Sequence, residues 1–519
     1  MAEGPRSGKE RTVGIDLGTT LSKLACVDES GRPTLVPNAE GELLTPSIVV
    51  FTKSGILVGR DARREALANP ARAVSNVKRQ MGNPRWRFKV DGDTYTPEAI
   101  SALILKKVKK DAELHIGPIG RAVITVPAYF DDSRRKATED AGNIAGIEVI
   151  DIVNEPTASA LAYGLTRSAE DGIFLVYDLG GGTFDVTVIE KKGNEFITLA
   201  TDGDVELGGK DWDERLVNHL ADKFRQEFGA DPREDPQALA YLWVSAEEAK
   251  KTVSRREKTN VPVSYKGHWG NYEITRKDFE SITEDLLAVT QLTTEMVLEE
   301  AGITWKGVQK VIPTGGSTRM PMVQRLLERM SDKAVKAEVP VDEAVALGAA
   351  IHAAICVLNS RERIHELGAE AAERLGKIRT IDVAAHALGL IIKDARTLEY
   401  RNDVLIPKNS RLPASVSRTY QTAVDGQQKI ILQVVQGDAP GPDANIVIGT
   451  ANVTGLPAGR PAGALVKVTY SYDRKGRIHV TAHDEQTGQV MTTEIARQAG
   501  LKAEEVAEEA RRLSLKSIE

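Results

Sequence analysis

One pattern occurs twice, far apart in the chain: an apolar strand, then Asp-Leu-Gly, then small residues with threonine, then a second apolar run. It stands as "TVGIDLGTTLSKLACVD" from Thr12 to Asp28 and as "FLVYDLGGGTFDVTVIE" from Phe174 to Glu190. Each copy continues as a meander. A turn at Asp28 to Gly31 follows the first, and one at Lys191 to Asn194 follows the second. Phe184, Val186 and Val188 fall on one face at a period of two. A repeat on this scale implies two similar half-domains, each with its own glycine turn.

The segments between the copies alternate strands and helices. "RAVITVPAYF" reads as a strand and "SRRKATEDAGNIAGI" as a helix. "DIVNEPTASALAYGL" reads as a strand-to-helix corner with Pro156 in the first turn. This is an α/β pattern. Residues 205–307 read as largely helical, broken by strand-like "NVPVSYKG" and "NYEITRKDF". The most apolar run, "AVALGAAIHAAICVL" from Ala344 to Leu358, is shorter than the roughly 20 residues of a membrane span and contains His352, so it reads as a buried helix. Residues 359–378 predict a charged helical connector with a thin stripe of Ile364, Leu367, Ala371 and Leu375. Beyond 380, "KIILQVVQGD", "GALVKVTYSYD" and "GRIHVTAHDE" predict a separate all-β module. Val466, Val468, Tyr470 and Tyr472 share a face there, and a hairpin turn falls at Asp473 to Gly476. "LKAEEVAEEARRLSL" predicts one short amphipathic helix.

A chain of 519 residues accommodates roughly two to four such domains. Its net charge of −6 gives no support to a nucleic-acid partner, which favours a basic face. Cys26 and Cys356, each in an apolar run, predict buried free thiols and a reducing compartment. Met1 to Arg11 lacks the apolar region of a signal peptide. His479 and His483 share a strand face but sit roughly 13 Å apart, too far for a metal pair.

The glycine turns carry the chemistry. Successive N–H groups in a glycine turn can form a nest for phosphate. An acidic residue beside such a nest makes sense when hydrated Mg²⁺ lies between carboxylate and phosphate. Gly18-Thr19-Thr20 follows Asp16, and Gly180-Gly181-Gly182-Thr183 follows Asp178. Either turn alone could be a plain hairpin; two in matching contexts point to a phosphate grip. A third element, Gly315-Gly316-Ser317 between a strand and a helix near Pro321, could be ordinary strand–helix packing or the floor for a nucleoside. None of these is a Walker A loop or a G-x-G-x-x-G fingerprint.

Taken in order, "IDLGTT", "VPAYFDDSRRKAT", "NEPTASALAYG", "YDLGGGTFDVTV", "LGGKDWDERL" and "GGSTRMPMVQ" resemble the seventy-kDa heat-shock (DnaK-like) chaperone family, within the actin and sugar-kinase superfamily. The resemblance runs from about residue 12 to about 497. It implies an actin-like, two-lobed α/β ATPase domain of ribonuclease-H-like sheets over 12–358. A charged helical linker over 359–381 follows, then a β-sandwich peptide-binding domain over 382–497. A truncated C-terminal helix over 498–519 closes the chain, and 1–11 is a disordered N-terminus.

The resemblance implies ATP or ADP with Mg²⁺, and allows K⁺. Asp16, Asp178 and Glu155 would hold the metal, mostly through water. Gly18, Thr19, Thr20, Gly180, Gly181 and Gly182 would grip the phosphates. Lys78, in "NVKRQMGN", matches the family's catalytic lysine, and Glu155 and Thr183 its residues near the γ-phosphate. Gly315, Gly316, Ser317, Arg319 and Asp342 would meet the adenosine. Glu247, Lys250, Lys251 and Ser254, at helical spacing, would touch ribose and base, a solvated charged face being the alternative. Pro127 and Arg135 match the family's relay between the nucleotide and the outer face of the lobe. Leu390, Tyr420, Ala423, Ile430 and Leu432 fall where the family lines its peptide pocket, although Ile430 and Leu432 could equally be core. The implied partners are unfolded or extended polypeptides, a J-domain co-chaperone and a nucleotide-exchange factor, in the cytoplasm, with no membrane and no nucleic acid.

Four features depart from the family pattern. One short helix follows the β-module where the family has a long helical lid, which predicts rapid peptide release. The linker reads Ile378-Arg379-Thr380-Ile381-Asp382, which predicts weakened coupling because Arg379 and Thr380 are polar. Asp151 replaces an arginine that receives J-domain partners, a sign reversal that would repel an acidic contact. The loop from Ile391 to Asp403 is long, so the residue arching over the groove is not placed. The competing readings are a small-molecule kinase or a filament protein of the same superfamily, neither of which needs the β-module, and a regulatory relative with weak allostery.

Overall fold

The computed structural model describes residues 10–166, 170–360, 367–393, 397, 399–456, 458–485, 488, 490–497 and 500–519. Each copy of the repeated pattern lies in the middle of a sheet. In lobe I, β1 (Arg11–Asp16), β2 (Leu21–Val27), β3 (Pro33–Val36), β4 (Ile119–Val126) and β5 (Glu148–Asn154) lie in the order β5-β4-β1-β2-β3. In lobe II, β6 (Gly172–Leu179), β7 (Phe184–Lys192), β8 (Glu195–Asp204), β9 (Val308–Thr314) and β10 (Arg379–Ile381) lie in the order β9-β6-β7-β8-β10. In both sheets the acid-bearing strand pairs antiparallel with the next strand and parallel with a much later one. The repeat in residues is therefore a repeat in topology. It sets Asp16 and Asp178 at the carboxyl ends of β1 and β6, where ligands gather in α/β sheets.

The apolar run after Ala344 is the helix Ala344–Asn359, buried along most of its length. It lies so close to its neighbours that side chains are excluded at two points. A Cβ on Gly14 would fall 2.1 Å from the Ala350 nitrogen, and one on Gly348 1.7 Å from the Ala158 carbonyl oxygen. Phe184, Val186 and Val188 are buried as expected, but so are Asp185 and Thr187. The one-sided pattern fails because separate apolar cores cover both faces of this sheet. Cys26 and Cys356 are free of disulfides but only half-buried, since each sits at the margin of a core rather than inside it.

The β-module is an eight-stranded unit: β11 (Leu388–Lys393), β12 (Tyr400–Ile406), β13 (Ala414–Gln421), β14 (Lys429–Gln436), β15 (Ile446–Thr454), β16 (Leu465–Tyr472), β17 (Ile478–Asp484) and β18 (Val490–Arg497). Their order is β12-β11-β14-β15-β18-β17-β16-β13. Val466, Val468, Tyr470 and Tyr472 all point into one apolar core. The long loop is a hairpin from β11 to β12 whose residues 394–396 and 398 lie outside the described residues.

The charged connector is helical over Ala369–Gly376 and seats Ala371 and Leu375 beside Gly31 of lobe I; Ile364 of its stripe lies outside the described residues, as do residues 1–9. Its continuation, β10, pairs in parallel with β8. Asp382 then accepts hydrogen bonds from Thr157 at 2.7 Å and Thr198 at 2.9 Å. Backbone pairing thus seats the stretch whose polar Arg379 and Thr380 suggested poor docking. The sandwich follows it onto the lobes. Arg477 donates to the Asp132 carbonyl at 2.8 Å, the Asp132 N–H donates to Gln436 at 3.0 Å, and Lys408 pairs with Asp202 at 2.5 Å and Glu300 at 2.9 Å.

The last helix, Ala503–Ser514, packs on lobe I and buries Leu513 in that lobe's core. The residues after it pair with Ile56–Val58, the Ile56 N–H reaching the Ser517 carbonyl at 3.0 Å and the Glu519 N–H returning to Ile56 at 3.0 Å. Among the described residues no helix is long and apolar enough to cross a membrane.

Candidate functional site

The two glycine turns face each other across the cleft between the lobes and touch. A Cβ on Gly181 would fall 2.0 Å from Thr20 Oγ1, and one on Gly182 2.3 Å from Thr19 Cγ2. Only glycine permits this apposition. Both turns are held from outside. Ser47 donates to the Gly18 carbonyl at 2.8 Å. The Gly209 and Lys210 N–H groups, opening the helix Gly209–Phe228, donate to the Gly180 and Gly181 carbonyls at 3.0 and 2.9 Å. Arg79 donates to the Gly182 carbonyl at 2.7 Å and clasps Asp211, tying lobe I to lobe II.

Charged groups converge beneath the turns. Lys78, on a short turn of 3₁₀ helix, pairs with Glu155 at 2.5 Å; both are buried. Glu155 opens the helix Glu155–Thr166. Asp16 pairs with Lys23 at 2.7 Å. Asp178 and Asp185 are buried too, and the Tyr129 N–H donates to Asp185 at 3.1 Å. Burial pushes Glu155 above the usual carboxylate range, with Lys78 opposing and Asp16 reinforcing the push. Burial, then Glu155, Asp185 and Asp16, hold Asp178 well above it, and burial raises Asp185 to about 7. One Asp178 oxygen, Oδ2, is buried without a hydrogen-bond partner. A buried carboxylate oxygen with no partner, in a patch where carboxylates repel one another, is what a divalent cation would relieve. The residues fit a hydrated Mg²⁺.

The remaining residues divide into those brought to the cleft and those turned elsewhere. Thr19 and Thr183 are buried at the turns; Thr20 is exposed. Gly315 sits at φ +82, where a Cβ would meet the Leu179 carbonyl at 2.4 Å and Asp178 Oδ1 at 2.8 Å, so the third glycine element lies directly against the acid. Gly316 lies close to Asp342, Ser317 donates to the Gly180 carbonyl at 2.8 Å, and Arg319 pairs with Asp342. Lys250 reaches the Gly209 carbonyl at 2.7 Å and Asp213 at 2.8 Å. Glu247 is drawn to Arg63 of lobe I at 2.5 Å, closing the cleft mouth. Lys251 pairs with Glu247 at 2.8 Å, and Ser254 donates back to its own helix at Lys250.

Arg135 is buried under the docked sandwich. It donates to the Ala128 carbonyl at 3.0 Å and Asn154 at 2.7 Å, and reaches the Lys475 carbonyl of the sandwich at 3.5 Å. Pro127 begins the turn that carries the Ala128 and Phe130 carbonyls, its own oxygen accepting from the Phe130 N–H at 3.2 Å. Of the pocket residues, Leu390, Ile430 and Leu432 lie in the sandwich core, Tyr420 packs half-buried against it, and Ala423 is exposed. Asp151 is paired with His352 at 2.8 Å, so its reversed charge is compensated locally.

Sequence reasoning missed Lys23, Arg79, Asp185 and Asp211. Lys23 and Asp185 stand inside the repeated pattern, and period-two counting from Asp16 and Asp178 would have flagged neither, because each is brought in by pairing with a neighbouring strand.

The model of the Hsp70 protein family matches residues 12–88 and 83–514. The chain is 41% identical over 507 residues to the chaperone protein DnaK of Thermotoga neapolitana, covering 96% of this chain and 82% of that one. It is also 41% identical over 506 residues to the chaperone protein DnaK of Halobacterium salinarum, covering 96% of this chain and 77% of that one. With the two turns, the lysine and the sandwich in place along almost its whole length, the chain belongs to the Hsp70 family.

Proposed function

We propose that the cleft binds Mg–ATP and hydrolyses it to ADP and phosphate, and that this reaction sets the affinity of the sandwich for extended apolar peptide segments. As a member of its family the protein is an ATP-dependent chaperone and an ATPase. The observation that carries the site assignment is the contact of two glycine turns directly above Lys78, Glu155, Asp16 and Asp178.

In this reading the N–H groups of residues 18–20 and 181–183 cradle the phosphates, while the Gly180 N–H closes the turn onto the Thr183 carbonyl at 3.0 Å. Asp16, Asp178 and Glu155 would hold Mg²⁺, which would supply charge neutralisation at the phosphates. The Lys78 ammonium stabilises charge on the transferring phosphoryl group and orients the attacking water, with Glu155 fixing the lysine. Thr183, buried at the second turn, would act at the γ-phosphate end. Gly315, Gly316, Ser317, Arg319 and Asp342 form the adenosine side, and Lys250 supports the floor through Gly209.

Arg135 is the physical link toward the sandwich, because it contacts both the Pro127 turn and the Lys475 carbonyl. Leu390, Ile430 and Leu432 shape the peptide pocket from below as core, and Tyr420 and Ala423 border it. A J-domain protein and an exchange factor complete the cycle, in the cytoplasm. The kinase and filament readings leave the docked sandwich unexplained.

The test is the affinity of the full chain for a labelled extended apolar peptide in ATP and in ADP. ATP should weaken binding at least about tenfold. Equal affinities in both nucleotides would remove the coupled-chaperone reading.

A further inference from the structure

We propose that Lys23 is a positioning residue of the ATPase site: its ammonium serves as a built-in monovalent cation at Asp16, so that nucleotide binding does not depend on a free monovalent ion. This rests on the reading of the cleft as a Mg–nucleotide site.

The argument begins with register. β1 and β2 are antiparallel, and Asp16 and Lys23 are direct cross-strand partners. Their side chains are nearly sealed, at 10% and 7% exposure for Lys23 and Asp16, with Nζ 2.7 Å from Oδ2. Thr125 approaches the other Asp16 oxygen only at 3.4 Å. Among the ion pairs of the described residues, Asp16 has no partner but Lys23.

The balance of charge in the patch makes this pair consequential. Four buried carboxylates, Asp16, Glu155, Asp178 and Asp185, share the patch with two ammonium groups, and Lys78 is committed to Glu155. Asp178 and Asp185 make no ion pair with an ammonium among the described residues. Asp16 keeps its ammonium because Lys23 is anchored in the neighbouring strand as its direct cross-strand partner. Burial opposes the Lys23 charge, but Asp16, then Asp342 and Asp178, outweigh it. Without Lys23, Asp16 would be a nearly sealed carboxylate with no counter-cation, and a small cation captured from solution would have to take the place of the ammonium. A captured ion would make nucleotide binding depend on the salt present. The K⁺ that the family resemblance allows is therefore not needed at Asp16.

The test is calorimetric binding of ADP with Mg²⁺ to the full chain, in choline chloride and in potassium chloride at equal ionic strength. The wild-type chain should bind equally in both, within about twofold. Lys23→Ala should bind at least about tenfold more weakly in choline and recover most of that in potassium. Lys23→Arg should resemble wild type.

A wild-type chain that needs potassium overturns the proposal, and this arm decides the matter even if Lys23→Ala does not fold. So does Lys23→Ala with an unchanged melting curve that binds like wild type in choline, or that stays weak in potassium. A wild-type chain that binds no nucleotide in either salt refutes the nucleotide reading itself, and this inference falls with it.

Discussion

Lys78 and Glu155 form a buried ion pair of the kind that is costly to break from one side. Removing one partner leaves an unpaired buried charge, a loss of about 3–5 kcal/mol. Lys78→Ala is expected to lower ATP turnover about 10²–10³-fold and to destabilise lobe I, whereas Lys78→Ala with Glu155→Gln should regain most of the stability but none of the turnover. Single-turnover hydrolysis and thermal unfolding of the two variants separate these effects; a double variant no more stable than the single one would contradict the pair.

Asp151 and His352 make a second pair, with only the histidine buried, and it has a pH signature. Burial works against the His352 charge, but Cys356 and Asp151 hold it well above its ordinary value of 6.5. Its stabilisation is fully present below that value and is lost as pH rises through the folded one. Burial also opposes the Asp151 charge, yet His352 holds that carboxyl below its ordinary 3.8, so its share is lost only as pH falls through a still lower value. The melting gap between wild type and Asp151→Asn should therefore be wider at pH 6 than at pH 9; a gap that does not change with pH would refute this. At this scale the sequence was legible where motif residues carried the charge, as at Asp16, Asp178 and Lys78. It was silent on Lys23 and Arg79, whose importance comes from strand register and from a partner 132 positions away.

The glycine turns show what an element can encode. Their composition announced close backbone approach, but each sequence copy showed only its own half. That the object approached is the other turn appears only when the lobes close. Gly182→Ala would press its methyl against the whole Thr19 side chain, with Cγ2, Oγ1 and Cβ at 2.3 to 2.7 Å. It should weaken ADP binding at least about tenfold by calorimetry, and unaltered affinity would mean the turns need not touch. Strands and helices were readable because their periodicity is local. The two-sided burial of β7 was not, since Asp185 and Thr187 look like an exposed face until helices cover both sides of the sheet. The helix Ala344–Asn359 was readable for the converse reason: a run apolar on all sides has to be buried.

Across the whole molecule, the domain types were legible and their docking was not. Docking depends on pairs such as Lys408 with Asp202 and Asp132 with Gln436, hundreds of positions apart. Asp382 gathers this arrangement at one carboxylate, which receives Thr157 from lobe I and Thr198 from lobe II. Asp382→Ala should leave basal hydrolysis largely intact, abolish its stimulation by peptide, and expose residues 379–382 to limited proteolysis in ATP. Full stimulation in that variant would place the coupling elsewhere.

The contact between Arg63 and Glu247 has a consequence of its own. It fastens the two arms of the cleft with one partly exposed bond between opposite charges. A gate latched this way loosens as the surrounding medium conducts better, because mobile ions screen the latch far more than they screen the sealed charges beneath it. Dissolved electrolyte should hasten the escape of spent nucleotide, and a protein that pulled Arg63 aside would achieve the same in dilute buffer.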